Sequence, residues 1–289
     1  MRPESNRTGR DALPGNLAAR YQRLMHIIRA TGRAVVAFSG GTDSTCLLAV
    51  CADVLKDQVL AVTAQSALLP RHELARARKT ARQLAVRHRI LAAEDLAVAG
   101  LVENFSERCY FCKKNRFKKI RKMAAAEGCK TIFDGSHRDD DDDFRPGMKA
   151  LRELGIRSPL AEAGIGKADI RRLSRFLGLD TWDQPSNACL ATRIPYGTAI
   201  TQARLSRVAM AEDYLRRQGM RIYRVRDHGT IARLELGAEE MQRLFDGHFR
   251  ERVVHRLVAL GYRNVALDLK EFRSGSMNVG LPEAIWKST

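Results

Sequence analysis

The sequence predicts an α/β fold, a parallel-sheet domain followed by a smaller C-terminal α+β domain. Three observations predict it. An apolar run, Val35-Val36-Ala37-Phe38, breaks at Ser39-Gly40-Gly41 and continues as a helix. Further apolar strand patterns at residues 59–63 and 131–135 alternate with amphipathic helices, the order of βαβ units. From Thr201 the order changes to helix, hairpin, helix and strand. Residues 1–16 read as a loose tail, 17–197 as the sheet domain and 198–289 as the smaller one.

Each element has its own signal. Leu17, Tyr21, Leu24, Met25 and Ile28 recur at helical spacing. Residues 42–51 carry Cys46, Leu47, Leu48, Val50 and Cys51, a helix packed against a sheet. The next strand ends in Ala64-Gln65-Ser66. Ligands of α/β sheets bind beyond the carboxyl ends of strands, which makes Ser66 a candidate nucleotide contact. Residues 73–88 read as a basic helix, and residues 89–92 as a short strand. Arg108 opens a helix with Phe117, Ile120 and either Met123 or Ala124 facing inward. Residues 156–160 read as a last short strand, and 167–177 as a helix closed by Gly178. Pro195 and Gly197 mark the Cys189 segment as a loop. In the second unit, residues 221–226 and 230–236 alternate around an Asp227-His228-Gly229 turn. This places Arg224 and Arg226 on one face.

The bulk numbers exclude several classes. With 45% hydrophobic residues the 289-residue chain can bury a core. No apolar run reaches the ~18 residues of a membrane span, and the first thirty residues have no apolar signal core. A cytoplasmic protein is expected. The formal net charge of +17 attracts polyanions. Aromatics at 6% make a poor base-stacking platform, so small anions are favoured over nucleic acid.

The chemistry-bearing residues fall in four places. The glycines of Ser39-Gly40-Gly41-Thr42-Asp43-Ser44 let the backbone approach a ligand. The helix start offers unpaired N–H groups suited to phosphate, and Ser39 and Ser44 add hydroxyls. Cys109 and Cys112 form a Cys-x-x-Cys at a helix start, where Arg108, Lys113 and Lys114 are expected to lower the thiol pKa values. They suit an iron–sulfur cluster or zinc, with a redox disulfide as the alternative. A closed four-cysteine zinc site is disfavoured. Cys46, Cys51 and Cys129 read as core thiols. The acids at 139–143 either coordinate Mg²⁺ or form a solvated loop. Arg193, four residues after Cys189, can favour its thiolate and bind an anion. Arg224 and Arg226 suit a phosphate or carboxylate.

The Ser-Gly-Gly-x-Asp-Ser string resembles the PP-loop of the ATP pyrophosphatases, which implies cleavage of ATP between its α- and β-phosphates. A wider set of motifs resembles the LarE family, ATP-dependent sulfur transferases that build a nickel-pincer nucleotide cofactor. The set comprises Arg108-Cys109-x-x-Cys112-Lys113, Asp134-Gly135, Asp139-Asp140, Arg145-Pro146-Gly147, Ser158-Pro159-Leu160, Cys189-Leu190-Ala191-x-Arg193-x-Pro195-Tyr196-Gly197 and Arg273-Ser274-Gly275-Ser276. The resemblance spans nearly the whole chain. It implies that ATP, with Mg²⁺, adenylates a carboxylate of a pyridinium-3,5-dicarboxylate mononucleotide and that sulfur then displaces AMP. It also implies nucleotide contacts at Ser39, Gly40, Gly41, Asp43, Ser44, Ser66 and Gly135, and substrate contacts at Arg193, Arg224 and Arg226. Cys109, Cys112 and Cys189 match the branch in which three cysteines hold a 4Fe–4S cluster. In the other branch the cysteine matching Cys189 gives up its own sulfur. A homo-oligomer is implied, with the C-terminal unit as interface. Two rivals stay open: a tRNA thiolase of the same superfamily, and a regulatory protein that uses the loop as a nucleotide sensor.

Overall fold

The computed structural model describes residues 13–140, 146–185 and 188–273. Helix α1 (Gly15–Arg29) buries Leu17, Leu24 and Ile28, so it begins inside the expected tail. Strand β1 (Ala34–Ala37) leads to α2 (Thr42–Leu55), β2 (Val59–Gln65), α3 (Arg71–Gln83), β3 (Arg87–Ala92), the short α4 (Ala99–Val102), α5 (Arg108–Ala126) and β4 (Ile132–Phe133). The sheet order is β3-β2-β1-β4, all parallel, in the register Leu60↔Arg87, Ala34↔Val59 and Val35↔Ile132. The chain winds outward from β1 in both directions. The crevice beyond the carboxyl ends of β1 and β4 is therefore the switch point where such sheets bind ligands.

Helices on both faces explain why β1 is apolar throughout rather than alternating. Helix α2 is buried on nearly every side, from Thr45 through Cys51, because α1 and a later helix flank it. Helices α6 (Gly147–Glu153), α7 (Pro159–Glu162) and α8 (Lys167–Phe176) complete the domain, and α8 packs on α2. The second unit holds α9 (Gln202–Arg217), β5 (Tyr223–His228), β6 (Ile231–Leu236), α10 (Ala238–Arg243), α11 (Gly247–Ala259) and β7 (Asn264–Leu267). Its sheet order is β5-β6-β7, with an antiparallel hairpin and a parallel third strand. An apolar cluster joins the two units: Leu68 and Leu101 from the first, Leu190 and Ile194 from the connecting loop, Leu205 and Val208 from α9. Among the described residues no helix is long and apolar enough to cross a membrane.

Three expectations are corrected. Residues 156–160 are not a strand. Arg157 makes one isolated parallel bridge to Phe133, and Pro159, suited to a first helical turn, then starts α7. The helix expected through residue 88 ends at Gln83. Ala85 takes a left-handed φ of 54°, and Arg87 already pairs with Leu60. The hairpin turn is Gly229-Thr230, because His228 pairs with Ile231 and Asp227 lies within β5.

The core thiols carry a pH dependence. Burial pushes Cys46 up to about 12 from an ordinary 9.0, and burial raises Cys51 as well. A group raised in the folded state adds stability below its unfolded pKa and loses it as pH climbs toward the folded one. Between pH 9 and pH 11, Cys46→Ala is expected to flatten the fall in unfolding free energy by about 1.4 kcal/mol per pH unit. Urea titrations of both proteins at two alkaline pH values check this. Equal slopes would contradict it.

Candidate active site

The switch-point cleft has a volume of about 340 Å³. One wall is the turn from β1 into α2: Ser39, Gly41, Thr42, Asp43 and Ser44. The turn is tightly wired. Ser39 and Ser44 hydroxyls lie 3.0 Å apart, the Gly41 N–H donates to Ser39 Oγ at 3.3 Å, and Ser44 Oγ donates to the Gly41 carbonyl at 3.3 Å. Gly40 sits behind this wall, with φ +77°. A Cβ there would lie 3.0 Å from the Cα and Cβ of Ala77, so glycine is needed for α3 to approach. Its carbonyl accepts from Arg76 Nε at 3.1 Å. Gly135, just after β4, lies equally close to α2: a Cβ there would lie 3.0 Å from Ser44 N.

Four cations from three helices face this turn. Arg76 comes from α3, Lys113 and Arg116 from α5, and Lys167 from the first residue of α8. Lys167 Nζ pairs with Asp43 Oδ1 at 2.5 Å, and Lys113 Nζ with Asp134 Oδ2 at 3.5 Å. Asp134 also accepts from Ser136 Oγ and Ser158 Oγ, both at 2.6 Å. Asp140 lines the cleft, while Asp139 instead caps α8, accepting from Lys167 N at 2.7 Å. Residues 141–143 of the acid run, Arg145 of its motif and Ser274-Gly275-Ser276 lie outside the described residues. Ser66 follows Gln65, the last residue of β2, and is not among the residues lining the cleft; its hydroxyl accepts from Arg116 Nη2, a cleft-lining cation, at 2.9 Å and from Leu68 N at 3.1 Å.

The cysteines stand beside this cleft. Cys109, Cys112, Lys113 and Arg116 fall at helical spacing on one face of α5, so the thiols adjoin the cations that line the cleft. Cys189 begins a single turn of 3₁₀ helix, residues 190–193, and packs with Cys112 on the cluster between the two units. The thiols feel one another: thiolate charge on Cys189 raises both Cys109 and Cys112. Sequence reasoning expected lowered values for the pair, and the structure reverses this. Burial is the largest effect. It pushes Cys112 up to about 12 and raises Cys109, against the pull of Arg108 and Lys113. Lys114 turns away and pairs with Glu153 at 2.8 Å. Among the described residues, no three His, Cys, Asp or Glu converge as a metal site.

A second cleft of about 260 Å³ shares Glu73, Arg76, Gln184 and Pro185 with the first. Arg193, Arg216, Arg221 and Arg224 line its far side. Burial, and then the Arg193 charge, push Arg224 down to about 10. Arg193 is itself fully engaged. Its Nε and Nη2 donate to the two Glu212 oxygens at 2.8 and 3.0 Å, and its Nη1 donates to the Ala188 and Cys189 carbonyls. Arg226 donates to Glu235 at 2.5 Å and to the Thr192 carbonyl at 2.6 Å, and lines neither cleft. The expected trio of anion ligands therefore divides. Arg224 and Arg193 face the second cleft, and Arg226 braces the loop.

Burial opposes ionisation of Glu212, yet Arg193 holds its pKa below the ordinary value. Glu212→Ala is expected to cost ~3 kcal/mol or more, since it strands a buried guanidinium. Thermal unfolding with denaturant titration checks it, and a cost below ~1 kcal/mol would contradict a buried pair.

Sequence reasoning did not find Arg76, Arg116, Lys167 or Glu212. Lys167 had a readable signal, a lysine following Gly166 at a helix start. Arg76 and Glu212 had none, because each is brought in by tertiary packing.

A Gly-Gly turn at the switch point of a parallel sheet, faced by cations, defines a PP-loop domain. The PP-loop domain family matches residues 15–158. The chain is 38% identical over 269 residues to the pyridinium-3,5-bisthiocarboxylic acid mononucleotide synthase of Lactiplantibacillus plantarum, covering 93% of this chain and 97% of that one. It is 38% identical over 262 residues to an uncharacterised protein of Synechocystis, covering 91% and 98%. A third relative, from Methanocaldococcus jannaschii, is 26% identical over 240 residues. The chain belongs to the LarE family and is an ATP-using enzyme.

Proposed function

We propose that the protein is an ATP-dependent sulfur transferase that adenylates a carboxylate of a pyridinium-3,5-dicarboxylate mononucleotide and converts it to a thiocarboxylate. The observation that carries this is the shared face of α5, which sets Cys109 and Cys112 beside Lys113 and Arg116 at the edge of the cleft. An activating site and a sulfur site thus adjoin.

ATP occupies the first cleft. The N–H groups of residues 41–44 and the cations Arg76, Lys113 and Lys167 meet its phosphates, at the positive end of α2. Asp43 and Asp140 are the carboxylates placed to hold Mg²⁺, which would neutralise charge on the departing pyrophosphate. The substrate lies in the second cleft with an anionic group on Arg224. An anion there offsets the burial and like-charge repulsion that lower its pKa. Its carboxylate attacks the α-phosphorus and releases pyrophosphate. The acyl adenylate then has a good leaving group, and a sulfur nucleophile displaces AMP.

Cys109, Cys112 and Cys189 would hold a 4Fe–4S cluster, and three protein thiolates leave one iron able to carry an extra sulfide. Three thiols that interact through charge, on the facing walls of α5 and the residue 189 loop, are the donor type such a cluster takes. We place the enzyme in the cytoplasm. Its homo-oligomer forms through the C-terminal unit, where Phe245, Val254, Val258 and Leu269 are exposed. Light scattering at one chain mass would contradict that assembly.

Protein purified without oxygen is expected to show broad visible iron–sulfur absorption and about four irons per chain. Absence of iron after reconstitution would move the sulfur source to Cys189 itself. Pyrophosphate exchange into ATP should depend on the dicarboxylate nucleotide. Exchange that depends on tRNA instead would favour a tRNA thiolase.

A further inference from the structure

The loop that carries Cys189 is fastened to the start of α5 through one buried side chain. Asn104 is 0% exposed and sits at φ 63°, a left-handed conformation that asparagine tolerates. Its Nδ2 donates to the carbonyls of Pro195 at 2.7 Å, Thr198 at 2.8 Å and Ile194 at 3.3 Å. Its backbone carbonyl accepts from Gly197 N at 3.1 Å. Its Oδ1 accepts from Arg108 Nη1 at 2.5 Å. Arg108 is itself buried, and its guanidinium stacks 4.3 Å from the centre of the Tyr196 ring. The residue after Arg108 is Cys109. A helix-ending asparagine needs only its backbone conformation. This one also commits every polar atom of its side chain to the loop at residues 194–198 and to α5.

We propose that Asn104 and Arg108 are positioning residues that fix the reach between Cys189 and the Cys109–Cys112 pair. The inference rests on the reading that the three thiols act together. The loop is pinned from two sides. Arg193 ties it to Glu212 of α9, and Asn104 ties the segment just beyond to the helix that bears the other thiols. The first tie sets the loop against the C-terminal unit. Two backbone bonds, Leu190 N to the Leu68 carbonyl at 3.0 Å and Ile200 N to the Val102 carbonyl at 2.8 Å, hold it to the first unit, and the Asn104–Arg108 tie carries that hold to the start of α5 beside Cys109. Leu68 and Val102 lie outside α5, so the side-chain tie through Asn104 and Arg108 is what registers the loop against the helix that carries Cys109 and Cys112.

The test is thiol crosslinking of the reduced, iron-free, full-length protein with bis-methanethiosulfonate reagents of increasing spacer length. Linked Cys109 and Cys189 peptides are read by mass spectrometry. The native protein is expected to link with the shortest spacers. Asn104→Gly keeps the left-handed backbone and removes every side-chain contact. It is expected to lose short-spacer product by about tenfold or more, while long spacers still link. Unchanged short-spacer yield would overturn the proposal. Should Asn104→Gly fail to fold, Tyr196→Leu removes the ring beneath Arg108 from a half-buried position. It too should lower the short-spacer yield, and an unchanged yield would overturn the clamp. The readout needs no iron. Normal linking that Asn104→Gly disrupts, in a protein that never takes up iron, would sink the cluster and uphold the clamp.

Discussion

Cys189→Ser is expected to abolish thiocarboxylate formation, by about 10³-fold or more, while substrate-dependent release of pyrophosphate continues. In the proposed reaction the two steps use separate groups. Cys189 lines neither cleft, whereas Asp43, Lys113 and Lys167 line the first. The backbone carbonyl of residue 189, which accepts from Arg193, is retained in the variant, so the loop keeps its brace to Glu212. The check is a pair of assays on one sample, pyrophosphate release and mass analysis of the nucleotide product. Equal loss in both would mean that Cys189 shapes the adenylation site, contrary to the division of labour between the cleft and the thiols.

Gly135→Val is expected to weaken ATP binding by about 2 kcal/mol, or about thirtyfold in Kd. A Cβ at residue 135 would lie 3.0 Å from Ser44 N, 3.2 Å from Ser44 Cα and 3.4 Å from the Asp43 carbonyl carbon. All three are backbone atoms of the first turn of α2, which cannot swing aside as a side chain would. The turn must move, and with it the N–H groups that meet phosphate. Gly247→Ala, where only the tip of Arg250 lies within 4 Å of the added Cβ, is the control. Calorimetry with a non-hydrolysable ATP analogue distinguishes the two. Native affinity in Gly135→Val would remove this cleft as the ATP site.

The sheet domain was largely legible because its signals are local. A short run of buried residues, two glycines and an apolar helix specify β1, the turn and α2 within about twenty residues. The motif set named the family before any geometry. What escaped depended on partners far along the chain. Arg193 and Arg226 looked like free anion ligands, but Glu212 and Glu235 had claimed them. The Cys109 and Cys112 thiols looked activated by neighbouring cations, but burial outweighs those charges. Desolvation is a property of packing, and no spacing of basic residues reveals it. The residue 156–160 strand failed for a local reason that was readable: Pro159 suits a helix start better than a sheet interior. Asn104 was also half-visible, since asparagine closing a short helix often marks a left-handed residue, although its contacts to residues 194–198 were not.

The most direct measurement is mass spectrometry of the product after oxygen-free incubation with ATP, Mg²⁺, a sulfide source and pyridinium-3,5-dicarboxylate mononucleotide. The account predicts exchange of a carboxylate oxygen for sulfur, with AMP and pyrophosphate released in equal amounts. Release of ADP and phosphate, or recovery of unchanged nucleotide from protein that hydrolyses ATP, would contradict it.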